Sequence, residues 1–249
     1  MQFQYNEEQA LFKDSLKKFV DDNYAYESRC KLVDSAQGYS EAHWQKLAEL
    51  GVLGLPFAEE YGGFAGDLPF LTAVAEEFGR GLVVEPFFST VVLAGQLLAS
   101  AAPDSIKTEL LPKVADGTLK LALAWEERGS RGNPGRTDCT VVDKGDRAIL
   151  QGEKLAVLGG GSAGAMLVTA RTDEGKLALL LVNAGVPGLT IKPYALVNGS
   201  RGATLSFSDV EATVLHTDAL ALVQACLDRA LIVLCAEALG AMDALMANT

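Results

Sequence analysis

The chain has 249 residues, enough for one large core or two ordinary ones, and 49% hydrophobic against 21% charged residues describes a folded protein rather than a disordered one. Its 21 basic and 32 acidic residues leave a formal net charge of -11, which excludes a general affinity for DNA, RNA or an anionic membrane surface. Four scattered cysteines with no CxxC pair, and two distant histidines, His43 and His216, exclude a zinc site and make a reducing cytoplasm the expected setting.

The N-terminus, Met1 to Glu8, carries neither the basic stretch nor the apolar run of a secretory signal. Asn6 followed by Glu7, Glu8 and Gln9 predicts a capped helix whose buried stripe is Leu11, Phe12, Leu16, Phe19 and Val20. Ser40 opens a second helix with Trp44, Leu47, Ala48 and Leu50 on one side, ended by Gly51. The Pro56 to Gly63 segment reads as a loop of fixed shape. Helices are predicted again at about 68–78, 86–100 and 104–114, apolar enough to cover one another in a bundle.

At Asp116-Gly117 the pattern changes to short apolar runs separated by Gly145-Asp146, Asp173-Glu174-Gly175, Pro187-Gly188 and Asn198-Gly199. Without helices between them, the runs predict an antiparallel barrel or sandwich. Gly159 to Gly164 fits both GxGxxG and GxSxG, but Met166 to Thr169 reads as a strand where either motif needs a helix, so a turn between strands is expected. From Asp218 to about Ala247 the chain is helical, roughly 45 Å long and apolar nearly all round, which suits the centre of a bundle. Gln224, Asp228 and Arg229 interrupt its apolar run and argue against a membrane span. The expected organisation is a multidomain α+β chain: an all-α bundle over 1–116, a β barrel or sandwich over 117–217, and the first helix of a second helical unit over 218–249.

These units, in this order, resemble the acyl-CoA dehydrogenase flavoproteins. The resemblance is carried by Pro56-Phe57-Ala58-Glu59-Glu60-Tyr61-Gly62-Gly63, which looks like the family's proline, acidic, tyrosine, double-glycine loop, and by two segments of the β domain. The family's Thr-Glu-Pro-x-x-Gly-Ser-Asp stretch matches Glu126 to Asn133, with Glu127 retained and Gly132 standing where serine is usual. Its Gly-x-Lys-x-Trp-Ile-Thr/Ser-Asn stretch matches Gly152 to Gly159, with Gly152 and Lys154 retained, Ala156 replacing the tryptophan and Leu158 the hydroxyl donor.

The resemblance implies FAD as cofactor, held by Trp125, Glu126, Glu127, Gly132, Ala156 and Leu158, and an acyl-CoA thioester as substrate. The implied reaction is α,β-dehydrogenation in fatty acid or steroid side-chain metabolism, with a carboxylate taking the α proton. On the final helix Asp228-Arg229 resembles a pair that carries this carboxylate in some members, the competing reading being an ion pair or polar stripe at a helix surface; Glu237 is expected to pair with a neighbouring helix. The resemblance covers about the first two thirds of a full-length member, so the isolated chain is expected to be inactive and to work as a homo- or hetero-oligomer with an acyl-CoA dehydrogenase-like subunit. The competing function is a non-catalytic structural or acyl-CoA-binding subunit of a heteromeric acyl-CoA dehydrogenase.

Overall fold

The computed structural model describes residues 5–143 and 148–249, so the predicted turn at Gly145-Asp146 lies outside the described residues. Helix α1 (Glu7–Asn23) starts at a reciprocal capping box: the Asn6 side chain accepts from the Gln9 N–H at 2.8 Å, and the Gln9 side chain accepts from the Asn6 N–H at 3.0 Å. Leu16, Phe19 and Val20 form its buried face, while Leu11 is left exposed. A short helix not foreseen from the sequence, α2 (Tyr26–Asp34), follows with no fully buried residue. Helix α3 (Glu41–Glu49) is capped by Ser40 and buries Trp44 and Leu47; the Trp44 indole N–H donates to the Gly117 carbonyl at 2.9 Å and ties the bundle to the start of the β domain.

The 56–63 loop is a single 3₁₀ turn (Glu59–Tyr61) ended by Gly62 in the left-handed region. Gly63 is required by contact, since a Cβ there would lie 2.1 Å from the Phe57 carbonyl oxygen. Helix α4 (Leu68–Gly81) runs about one turn beyond its predicted end and stops at Leu82, φ +51°. The helix predicted over 86–100 is in two parts, a wide π-helical stretch (Phe88–Gly95) and α5 (Gln96–Ala101). Within the wide stretch the Thr90 hydroxyl donates to the Leu121 carbonyl of the β domain at 3.1 Å. Helix α6 (Asp104–Ala115) completes the bundle.

Seven strands follow: β1 (Leu121–Ala124), β2 (Thr140–Asp143), β3 (Ala148–Leu158), β4 (Ala165–Arg171), β5 (Leu177–Asn183), β6 (Leu189–Ala195) and β7 (Arg201–His216). Strands β4, β2, β3, β7 and β5 pair in a closed ring, with β1 added on β4 and β6 on β7. The barrel is mostly antiparallel as expected, but β1 and β2 each meet β4 in parallel because both run the same way on either side of the long 125–139 connection. Runs that look separate in sequence are continuous strands: β3 passes through irregularities near Gly152 and Ala156, and β7 joins the apolar runs Leu205 to Phe207 and Thr213 to Leu215. Alternate side chains divide between two cores. Met166, Val168, Leu180 and Leu205 fill the barrel, while Leu121, Leu167 and Leu179 join the core shared with the helices.

Helix α7 (Leu220–Ala247) leaves the barrel directly, the Ala219 N–H donating to Leu177 O at 2.7 Å. It packs on α4 through two glycines: a Cβ on Gly79 would lie 1.8 Å from Glu237 O, and one on Gly240 would lie 1.8 Å from Glu76 O. By length and composition α7 could cross a membrane, yet Asp228, Arg229 and Glu237 would be costly in lipid, and one side of the helix is seated closely on α4. Leu231, Ile232, Leu239, Met242, Leu245 and Met246 are exposed along it in this chain.

Candidate functional site

Of the residues expected to hold a cofactor, Trp125, Glu126 and Glu127 lie against β3, where Lys154 and Leu155 meet them. Trp125 is half-buried against the shared core, and the connection after it turns back so that Leu155 N–H donates to Glu126 O at 2.8 Å, fixing the 126–133 segment to β3. Ser130 anchors that segment from inside: its hydroxyl accepts from the Glu127 N–H at 3.2 Å and contacts the Glu126 carboxylate. Gly132 stands at the exposed tip with φ +76° and open space around its Cβ position.

Ala156 has φ +50°, and its N–H donates to the Tyr194 hydroxyl oxygen at 3.0 Å. Leu158 pairs with Gly202 on β7, which pairs in turn with Tyr194 on β6. The floor made by Ala156 and Leu158 offers apolar surface and no side-chain donor. Arg128, Arg131 and Arg136, on the adjoining connection, make no ion pair among the described residues. The apolar surface of Ala156 and Leu158 with the Tyr194 hydroxyl beside it suits the flat ring of a flavin.

Glu127, one of the expected cofactor residues, points into the protein. Its carboxylate takes Lys154 Nζ at 2.6 Å, the Asp138 N–H at 2.6 Å, the Cys139 N–H at 3.2 Å and the Thr137 hydroxyl. Lys154 is fully buried and also reaches Thr137 Oγ1 at 3.1 Å and Thr169 Oγ1 at 3.0 Å. Burial pushes the Glu127 carboxyl up, but Lys154, Thr137 and the Asp138 N–H outweigh it and hold it at about 2. The pair locks the start of the 126–133 segment to β3, so the retained glutamate and lysine act together as a brace beneath the floor.

Leu158 and Gly159 also close one end of a cavity of about 190 Å³ where bundle, barrel and α7 meet. Phe78 and Phe88 from the bundle and Val233, Leu234 and Glu237 from α7 line it. Nine residues at ~100° each put Asp228 on the opposite side of α7 from Glu237. Asp228 and Arg229 are exposed and make no ion pair with each other or with any described residue. Glu237 has no hydrogen-bond partner among the described residues, and burial alone pushes its carboxyl up.

Sequence reasoning passed over a second buried carboxylate at the cavity's edge. Glu85 accepts from the Ser40 N–H at 3.3 Å and from the Tyr24 hydroxyl, with His43 Nδ1 at 3.5 Å. Burial pushes the Glu85 carboxyl up to about 7 despite the Ser40 N–H, and burial likewise lowers His43. A carboxyl raised in the folded state favours folding below the ordinary carboxylate range, and that contribution is lost as pH rises through about 7. Glu85→Gln is therefore expected to melt close to wild type below the ordinary carboxylate range, at about pH 4, and above it in mild alkali, by roughly 3 kcal/mol of stability. Melting temperatures across that pH range check it; parallel curves for the two proteins would refute the raised carboxyl.

Comparison with known proteins finds one family along the chain. The family described as "Acyl-CoA dehydrogenase, N-terminal domain" matches residues 6–118. A probable acyl-CoA dehydrogenase, YngJ of Bacillus subtilis, is 29% identical over 220 residues, covering 84% of this chain and 57% of its own length. The acyl-CoA dehydrogenase FadE12 of Mycobacterium tuberculosis is 30% identical over 228 residues, 86% of this chain and 56% of its own. A solved structure described as a Tcur3481-Tcur3483 steroid ACAD superimposes with a TM-score of 0.87 at 29% identity, covering 96% of this chain and 64% of that one. The chain thus spans a little over half the length of the curated relatives it matches.

Proposed function

The chain belongs to the acyl-CoA dehydrogenase superfamily, and from that membership we propose that it is an acyl-CoA-binding subunit of a heteromeric acyl-CoA dehydrogenase. It contributes a cofactor wall and an acyl cavity, and a facing subunit supplies the base. The observation that carries this reading is the cavity beside Leu158, lined by Phe78, Phe88, Val233 and Leu234 with Glu85 and Glu237 among its polar groups, while Asp228 stands on the far side of α7. FAD, when bound, supplies the oxidant for α,β-dehydrogenation. The residues of this chain do the rest of the holding: Ala156 and Leu158 give the floor, Glu127 and Lys154 brace it, and Phe78, Phe88, Val233 and Leu234 exclude water from an acyl chain.

The exposed apolar side of α7 supports a facing subunit, as does the relative named for two chains. The word steroid in that relative's name supports a steroid-derived thioester as substrate, with a fatty acyl-CoA as the other case. Free cysteines, two of them buried, support a reducing, cytoplasmic setting.

A second reading makes the chain itself the dehydrogenase, with Asp228 as base beside Arg229. It is favoured by the exposure of both residues toward whatever covers α7. Two variants separate the readings. Leu234→Trp, which fills the cavity, is expected to weaken acyl-CoA binding at least ~10-fold by calorimetry; unchanged affinity would remove the cavity from the argument. Asp228→Asn in the complete complex is expected to leave turnover intact under the first reading, whereas loss of turnover with acyl-CoA binding retained would establish the second.

A further inference from the structure

We propose that Tyr194 is a cofactor-binding residue, supplying from β6 both the aromatic surface and the hydroxyl donor that Ala156 and Leu158 do not supply on β3. The inference rests on the reading of this wall as a flavin site. Its first support is register. Leu158, Gly202 and Tyr194 stand opposite one another across β3, β7 and β6, and residues directly opposite in antiparallel pairs share a face of the sheet. The tyrosine therefore emerges on the same face as Leu158.

The second support is the gap that lets it cross. Gly202 has no side chain, and a Cβ there would lie 2.9 Å from the Tyr194 ring, so the ring lies over β7 only because that position is glycine. Strands are ~4.8 Å apart, and a tyrosine laid across one of them brings its hydroxyl to the next. The hydroxyl arrives at the Ala156 N–H, at the position where the aromatic residue is absent.

The third support is the state of that hydroxyl. It accepts from Ala156, and its own proton has no acceptor among the described residues. A phenol oxygen that accepts one hydrogen bond still has a proton to give. Tyr194 is 38% exposed, so the residue is open to a ligand while its hydroxyl is held by backbone. Ring face and donor together are what the flat, electron-accepting edge of a flavin binds, and both stand across Gly202 from Leu158.

The experiment titrates the 249-residue chain with FAD, following flavin absorption and fluorescence polarisation, with thermal melts to confirm folding. Wild type is expected to take up FAD with a displaced absorption band. Tyr194→Phe keeps the ring and loses the donor, and is expected to bind on the order of 10-fold more weakly with the band returned toward that of free flavin. Adding Leu158→Thr to Tyr194→Phe puts a hydroxyl back on β3 and is expected to restore both. Wild-type affinity and spectrum in Tyr194→Phe would overturn the role of Tyr194 while leaving the flavin site standing. Weakened binding without rescue would make Tyr194 a tether for Ala156 and overturn the donor. A wild-type chain that takes up no FAD would overturn this inference together with the flavin reading beneath it.

Discussion

Alanine at Gly79 or Gly240 is expected to destabilise the chain by about 3 kcal/mol or more, although it adds only one methyl group. Each new Cβ would meet a main-chain carbonyl at 1.8 Å, from Glu237 and Glu76 respectively. A flexible side chain could swing aside, but a helical carbonyl cannot, so α4 and α7 must separate. Separation loosens the packing of Val233 and Ala230 against the bundle core and moves the wall of the cavity. At this chain length each 1 kcal/mol shifts the midpoint by ~2–4 °C, so a fall of roughly 10 °C is expected in a thermal melt. Gly129→Ala is the control: its Cβ meets nothing nearer than 3.8 Å, and its melt should match wild type. A Gly79→Ala protein that melts with the control would mean the two helices are not seated this closely.

Part of this architecture is readable from sequence because local chemistry specifies it. Asn6 and Gln9 announce the start of α1, Ser40 that of α3, and the change at Asp116-Gly117 falls where α6 gives way to β1. Helix α2 is not readable, since Tyr26 to Asp34 carries no apolar stripe and owes its order to contacts such as Arg29 with Leu82 O and Asn198 O. Gly152 and Glu153 make β3 look like two strands; only the pairing with β7 shows the chain passing through an irregularity and continuing. The length of α7 was plain, but its orientation was not. A helix apolar on nearly every side has no phase, so nothing in the spacing of its leucines says that Val233 and Glu237 face the cavity while Asp228 turns away.

The site divides in the same manner. Glu127, Lys154, Ala156 and Leu158 could be picked out by their places in two short segments, because those segments are local. What each side chain touches depends on residues far away in sequence: Glu127 meets Lys154 through the closure of the barrel, and Tyr194 meets Ala156 through strand register. Tyr194 gives no signal of its own, being one aromatic in an exposed strand. Gly202 is the nearest to a clue, a glycine inside a strand where a neighbour approaches closely.

Lys154→Met is expected to be the most damaging polar substitution in the barrel. It removes the cation from a carboxylate that is itself buried, and breaking such a pair from one side costs about 3–5 kcal/mol. The double variant Lys154→Met/Glu127→Gln leaves no buried charge, so it should recover a substantial part of the loss. Acid provides an independent check through the sign of the pH dependence. In wild type Glu127 is held at about 2, so its contribution is complete above the ordinary carboxylate range and is lost as pH falls toward that value. In Lys154→Met the carboxyl keeps its burial and loses its principal counter-charge, which pushes it upward, so protonation relieves the variant. The stability gap between the two proteins, measured by denaturant unfolding, should therefore be widest at neutral pH and narrow as pH approaches ~4. A gap that stays constant across that range would show that Lys154 contributes by packing its aliphatic chain and not by holding Glu127. A gap that narrows would place the brace under Ala156 and Leu158 on an ion pair, and would make the geometry of that stretch of β3 depend on it.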